Sequence, residues 1–164
     1  MDYQEKIEIT ATDIKACAFT GHRTLGADFN PRNLVEYIQA LIDKGVTHFY
    51  NGVAKGFDLI SAEAVLMFKY KNPQIKLIAC VPHLGQERYF DDEEKARYYT
   101  VLKKADETVL ISDKYYTGCM QKRNEYMVDR ADVLIAYINS DKGGTANTVR
   151  YCQRKYPNKQ ILFI

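Results

Sequence analysis

Ala16-Cys17-Ala18-Phe19-Thr20 is an uninterrupted, mostly apolar run that ends directly on Gly21-His22-Arg23, and a helical pattern follows from residue 32. Apolar side chains at successive positions mark a strand buried on both faces, as in a parallel sheet, and not a half-exposed antiparallel one. The same phrase recurs outward along the chain. His48-Phe49-Tyr50, Ile75 through Val81, Thr108-Val109-Leu110-Ile111, Asp132 through Tyr137 and Gln160 through Ile164 all read as short strands. Helical segments lie between them. Asn30-Pro31 supplies an N-cap and a proline at the first helical position, and residues 32–44 carry Leu34, Ile38, Leu41 and Ile42 at core spacing before Gly45 ends the turn. Further helices are expected over 59–70, 91–104, about 121–130 and 146–155. Strands alternating with helices predict an α/β, Rossmann-like, doubly wound and mostly parallel sheet of about six strands, with helices on both faces. No repeat, linker or low-complexity tract divides residues 1–164, so a single domain is expected, with residues 5–10 adding an edge strand.

Composition narrows the function classes. The chain of 164 residues is 46% hydrophobic and 27% charged, with a formal net charge of +2, so it is neither disordered in composition nor basic enough to favour nucleic acid in general. No apolar run approaches the ~18 residues that cross a bilayer, and the first residues lack a signal-peptide core. A cytoplasmic location without membrane attachment is the expectation. The four cysteines form no CxxC and hold no metal spacing with a histidine, so reduced structural thiols and no metal site are expected. Cys119 stands apart because it falls in a predicted loop beside basic residues.

Loops that follow parallel strands share one rim of the sheet, where ligands bind, and helix N-termini on that rim favour anions. Gly21 permits a tight turn, Arg23 offers a planar fork for phosphate or carboxylate, and His22 is a donor near neutral pH. In the second loop, Asn51-Gly52-Val53-Ala54-Lys55-Gly56-Phe57-Asp58, Gly52 and Gly56 bracket a strand-to-helix turn. Asp58 fits either a helix cap or an acceptor for ribose hydroxyls. Gln121-Lys122-Arg123-Asn124 brings cations to a helix start, where they oppose the dipole unless an anion lies between them. Asp141-Lys142-Gly143-Gly144-Thr145 suits a backbone nest for phosphate. Tyr115 or Tyr116 can stack on a base, although 13 tyrosines make ordinary packing the commoner role. The dinucleotide fingerprint, the P-loop and the GxSxG elbow are absent from the sequence; His48 lies in a strand, and His83 joins His22 on the rim without the carboxylate set of a metal site.

Phe19-Thr20-Gly21-His22-Arg23, Asn51-Gly52 through Gly56-Phe57-Asp58 with Ala62-Glu63, Gln121-Lys122-Arg123-Asn124 and Gly143-Gly144-Thr145 occur in an order that resembles the SLOG superfamily, the Smf/DprA and LOG group, and its YpsA-like members in particular. The resemblance runs over nearly the whole chain. It implies a Rossmann-like domain that binds nucleotides or nucleotide-derived ligands of the AMP, NAD or ADP-ribose class at this rim, often as a homo-oligomer. LOG enzymes cleave N-glycosidic bonds with a glutamate in a PGGxGTxxE pattern. Here the proline is missing and Thr148 stands where that glutamate would fall, which leaves Glu63 as the one acid nominated for catalysis. The DprA likeness raises single-stranded DNA, against which the weak net charge and the lack of a continuous basic stripe argue.

Three readings follow. The first is a small-molecule sensor or regulatory domain without evident cofactor, whose cradle comprises Gly21, Arg23, Gly52, Gly56, Arg123, Gly143, Gly144 and Thr145, with Asn51 and His22 nearby and Asp58 and Asn124 reading ribose or base. The second is an N-glycosidase or transferase that uses Glu63. The third is a protein-interaction module in cell-envelope or division regulation.

Overall fold

A computed structural model describes residues 7–164. Its strands are β1 (Ala16–Gly21), β2 (His48–Asn51), β3 (Lys76–Val81), β4 (Glu107–Leu110), β5 (Val133–Tyr137) and β6 (Gln160–Phe163), and its helices are α1 (Pro31–Asp43), α2 (Phe57–Lys71), α3 (Asp92–Lys104), α4 (Cys119–Arg130) and α5 (Gly144–Lys155). The six strands form one sheet in the order β4-β3-β2-β1-β5-β6, and every pairing is parallel. The chain steps outward from β1 to β4, then returns to lay β5 on the other side of β1. The direction of winding therefore reverses between β1 and β5.

Alternation along each strand divides the core in two. Cys17, Phe19, Leu77 and Val133 face a layer with Leu34, Ile38 and Leu41 of α1, Leu59 and Val65 of α2, and Tyr98 and Val101 of α3. Ala18, Ile78, Cys80 and Leu134 face Met127 and Val128 of α4 and Cys152 of α5. Both faces of the sheet are thus covered, which is why β5 is buried at each of its positions. The strand starts are held by carboxylates. Asp132 Oδ2 accepts from the N–H groups of Lys15 and Ala16 at 2.7 and 2.9 Å, and Asp106 Oδ2 accepts from Leu77 N–H at 2.9 Å.

The structure departs from the sequence-based expectations at helix starts and at one edge. Helices α2, α4 and α5 each begin two residues earlier than their apolar periodicity suggested. The residue before each is a glycine at positive φ: Gly56 at 80°, Gly118 at 94° and Gly143 at 95°. Each glycine reverses the chain in one step, so the helix starts at once, and in α2 and α4 its first residue, Phe57 or Cys119, is already buried. The expected edge strand over 5–10 does not form in its described part, residues 7–10. There the Gln160 side chain replaces a strand ladder: its Oε1 accepts from Thr10 and Ala11 N–H at 3.0 and 3.2 Å, and its Nε2 donates to Glu8 O at 2.9 Å. Residues 5 and 6 lie outside the described residues. Cys119 is no loop thiol; it is the first residue of α4 and fully buried.

Candidate functional site

The ends of β1, β2 and β5 and the starts of α2, α4 and α5 converge where the winding reverses, the usual ligand position of an open α/β sheet. They enclose a polar cleft of about 220 Å³ lined by Gly21, His22, Arg23, Asp58, Arg123, Asn124, Gly144 and Thr145, among others. Most of the residues singled out on the rim therefore meet in one place, whereas Asn51, Gly52, Gly56 and Gly143 do not line the cleft.

Their roles divide sharply. A side chain on Gly21 would run into the ring of Phe57, one on Gly56 into the backbone of Arg23, and one on Gly52 would come within 2.7 Å of the Arg123 guanidinium. These three glycines allow protein segments to touch, and Phe57 N–H seals the contact by donating to His22 O at 3.1 Å. By contrast, Gly143 and Gly144 look onto open space. They remain the glycines suited to a phosphate cradle, at the N-terminus of a twelve-residue helix.

Asn51 is likewise internal. Its Nδ2 donates to Asp58 O and Ser61 Oγ at 2.9 and 3.0 Å, and its Oδ1 accepts from Val53 N–H at 2.8 Å. Both amide hydrogens are used, and the residue is fully buried. Its task is to hold the β2–α2 turn, where Val53 sits at a φ of 48°. A buried β-branched residue in the left-handed region is strained, and such strain persists only where surrounding bonds over-determine it. Gln86 contributes by donating from Nε2 to Gly52 O at 3.1 Å.

Asp58 and Arg123 form the electrostatic centre. Asp58 is 7% exposed; its Oδ2 accepts a long 3.3 Å bond from Ala54 N–H, and its Oδ1 accepts none among the described residues. Burial pushes its carboxyl up to about 6, against the opposing pull of Arg123, the Ala54 N–H and Arg23. Arg123 is 4% exposed and donates from Nη1 to Gly52 O at 2.6 Å and Cys80 O at 3.2 Å, and from Nε to Asn124 Oδ1 at 2.8 Å. Its Nη2 has no hydrogen-bond partner among the described residues. Burial lowers its affinity for its proton, and Asp58 raises it. Arg23 is exposed, with Nη2 3.7 Å from Met120 Sδ. His22 Nε2 accepts from Asn139 N–H at 2.9 Å, which fixes the ring proton on Nδ1.

Asp58 makes the stability of the fold depend on pH. Its proton is bound more tightly in the folded state, so the stability it contributes is fully present near pH 4 and lost as pH rises through about 6. The rise corresponds to roughly 3 kcal/mol between the two ends of that window. Asp58→Asn should therefore flatten the pH dependence and melt higher than the parent at pH 7.5. Urea denaturation from pH 4.5 to 7.5 measures this, and parallel curves for both proteins would refute it.

Glu63 must be corrected. Five residues past Asp58, it lies about 140° around the helix and ~7.5 Å further along the axis. It lines a separate groove between α2 and α3, where its Oε1 accepts from Arg97 Nη2 at 2.5 Å. It does not line the cleft, so it is not placed to act on a ligand bound there. Thr148 offers no replacement: it is fully buried and its hydroxyl donates to Gly144 O at 2.8 Å. Among the described residues, no cluster of three His, Cys, Asp or Glu side chains could hold a metal, and no helix is long and apolar enough to cross a membrane.

Sequence reasoning placed His83 on the rim but passed over the rest of the loop after β3. The loop carries His83, Gln86, Arg88 and Tyr89, and it lines a second hollow of about 690 Å³ that shares Arg23, Ala54 and Met120 with the first. The position of this loop on the same rim was the available signal.

Comparison with known proteins agrees with this architecture. An uncharacterized SPbeta prophage-derived protein, YoqJ, of Bacillus subtilis is 32% identical over 141 residues, covering 78% of this chain and 82% of that one. A UPF0398 protein of Halalkalibacterium halodurans is also 32% identical over 141 residues, covering 84% and 75%. Among solved structures, DNA processing protein A of Helicobacter pylori, studied for its single-stranded DNA binding mode, matches with a TM-score of 0.66 at 20% identity over 91% of this chain and 64% of that one. DprA of Streptococcus pneumoniae matches with a TM-score of 0.51 at 14% identity, over 92% and 58%. The chain thus spans less than two thirds of either DprA structure and shares with them the fold. The YpsA family model, described as the YspA SLOG family, matches residues 27–164, and the chain belongs to that family.

Proposed function

We propose that this protein binds a nucleotide-type small molecule in the cleft at the winding reversal and acts as a sensor or regulatory domain. The phosphate lies against Gly143, Gly144 and Thr145 at the start of α5, with Arg23 and Arg123 Nη2 as cations, and Asp58 Oδ1 accepts ribose hydroxyls. The observation that carries this reading is the pairing of two buried charged groups, each with an unused polar atom, beside an open helix N-terminus. The unused donor and the unused acceptor both open into one cleft, where a polar ligand can engage them together in place of water.

Thermal stability measured with AMP, ADP, NAD, ADP-ribose, cyclic nucleotides and inorganic phosphate tests it. A ligand at 100 times its dissociation constant adds roughly 2.7 kcal/mol, a rise of about 5–10 °C for a chain of this size. Gly144→Glu, which fills the open side of the cradle with a like charge, should abolish the shift while leaving the unliganded melting temperature nearly unchanged. A flat panel would overturn the reading. The pH dependence assigns the Asp58 contact: affinity that rises with pH through about 6 marks a hydroxyl pair accepted by the carboxylate, and the opposite trend marks an anion facing it.

Single-stranded DNA is the second reading. It is favoured by the fold shared with the Helicobacter pylori protein and by the exposed aromatic and cationic side chains of the adjoining hollow. Affinity for oligonucleotides that grows with length and collapses with salt would support it.

A further inference from the structure

The polar cleft is small for a complete nucleotide, and the larger hollow beside it opens directly from it through Arg23, Ala54 and Met120. Its walls have a distinct chemistry. Three cations, Arg23, Lys55 and Arg88, line it with no carboxylate among the lining residues, and none of the three is in an ion pair among the described residues. Three aromatic rings, Tyr89, Phe90 and Tyr115, line it as well. Tyr89 is 86% and Tyr115 64% exposed, unusual for rings that ordinary packing would cover. Arg88 stands 5.6 Å over the ring of Tyr89, and His83 meets Tyr115 edge-on at 5.3 Å. His83 is itself 8% exposed. Its Nδ1 is 2.8 Å from Leu84 O and therefore carries the proton, and its Nε2 makes no hydrogen bond among the described residues.

Aromatic faces stack on bases of any identity, unpaired cations follow phosphates, and an imidazole nitrogen open to the hollow accepts from a base or sugar donor. We infer that this hollow is a second subsite, and that the ligand is a two-unit molecule: one nucleoside phosphate in the polar cleft joined through phosphate to a second base that stacks beside Tyr115. The inference rests on the nucleotide reading of the first cleft and extends it. Arg23, common to both spaces, sits where the linking phosphate would pass.

Calorimetric titration of the full chain with AMP, ATP, an adenosine dinucleotide linked 5′–5′ through pyrophosphate, and the 3′–5′-linked adenosine dinucleotide tests it. At least one dinucleotide should bind roughly tenfold to a hundredfold more tightly than AMP and than ATP, which carries extra phosphate but no second base. Tyr115→Ala and Arg88→Ala, both surface changes, should each remove most of that gain and leave AMP affinity as it was. The linkage that gains affinity identifies the source: pyrophosphate indicates a free dinucleotide, 3′–5′ a nucleic-acid strand. Dinucleotides no tighter than AMP would overturn the second subsite while leaving the first intact. A gain matched by ATP would overturn the stacking role, since phosphate alone would account for it. Absence of binding by every probe would instead overturn the nucleotide reading on which this one stands.

Discussion

Gly56→Ala should cost this fold about 4 kcal/mol or more, seen as a fall in melting temperature of roughly 8–16 °C. Two effects add. At a φ of 80° and ψ of −123°, Gly56 occupies a region that side chains with a Cβ rarely adopt, a strain of about 1–3 kcal/mol. The added methyl would also meet the carbonyl of Arg23, which is backbone and cannot swing aside. Relief would require the β1–α1 loop to move off the start of α2, breaking the bond from Phe57 N–H to His22 O and lifting Phe57 from its stack on Tyr137 at 5.9 Å. Gly118→Ala supplies the control. It has a similar φ of 94° at the start of α4 but open space where the methyl would go, so it should cost only about 1 kcal/mol. Denaturant melts of both variants test this: Gly118, at a ψ of −1°, lies in the milder left-handed region and lacks the close approach, so equal losses would refute the added cost assigned to Gly56.

That comparison also marks the limit of what the sequence made legible. The strands were readable because a sheet covered on both faces demands apolar runs such as Val133-Leu134-Ile135-Ala136-Tyr137, and no other element of that length does. The rim residues were readable because a parallel sheet gathers the loops that follow its strands, so Gly21, Asp58 and Thr145 come together although they lie far apart in the chain. The division of labour among them was not. Gly21 serves Phe57, Gly56 serves Arg23 and Gly52 serves Arg123, and each pair is a tertiary contact that no local pattern encodes. A glycine that admits a ligand and one that admits another strand of protein have the same sequence signature. Glu63 misled for a related reason: proximity in sequence on a helix is not proximity in space, and about 140° of rotation carried it to Arg97. Beyond His83, the loop after β3 went unread because its chemistry resides in ordinary Gln, Arg and Tyr residues, with no glycine motif to mark it.

Arg123→Met should lower stability by about 3–5 kcal/mol and, under the proposed function, weaken nucleotide binding by more than about a hundredfold. The methionine keeps the apolar stem and roughly the volume, so the loss reports the guanidinium. That group ties together the ends of two neighbouring strands: its Nη1 donates to Gly52 O beyond β2 and to Cys80 O in β3, and without it both carbonyls lose a buried charged donor. Asp58 would lose the cation that holds its carboxyl down to about 6, so it would keep its proton at higher pH and accept ribose hydroxyls poorly. Arg123→Lys retains the charge but not the planar fork. It should regain part of the stability and less of the affinity, because an ammonium can donate to both carbonyls as Nη1 does but has no second arm to reach Asn124 and the cleft at once. Arg23→Met completes the comparison: it is exposed and unpaired, so the fold should change by less than about 0.5 kcal/mol while affinity falls about tenfold. Chemical denaturation and calorimetric titration on the same three variants give the two readouts independently. Normal melting of Arg123→Met would remove the guanidinium from its structural role. Undiminished binding by that variant would move the ligand out of the cleft altogether, because no occupant of that space could be indifferent to a buried cation on its wall.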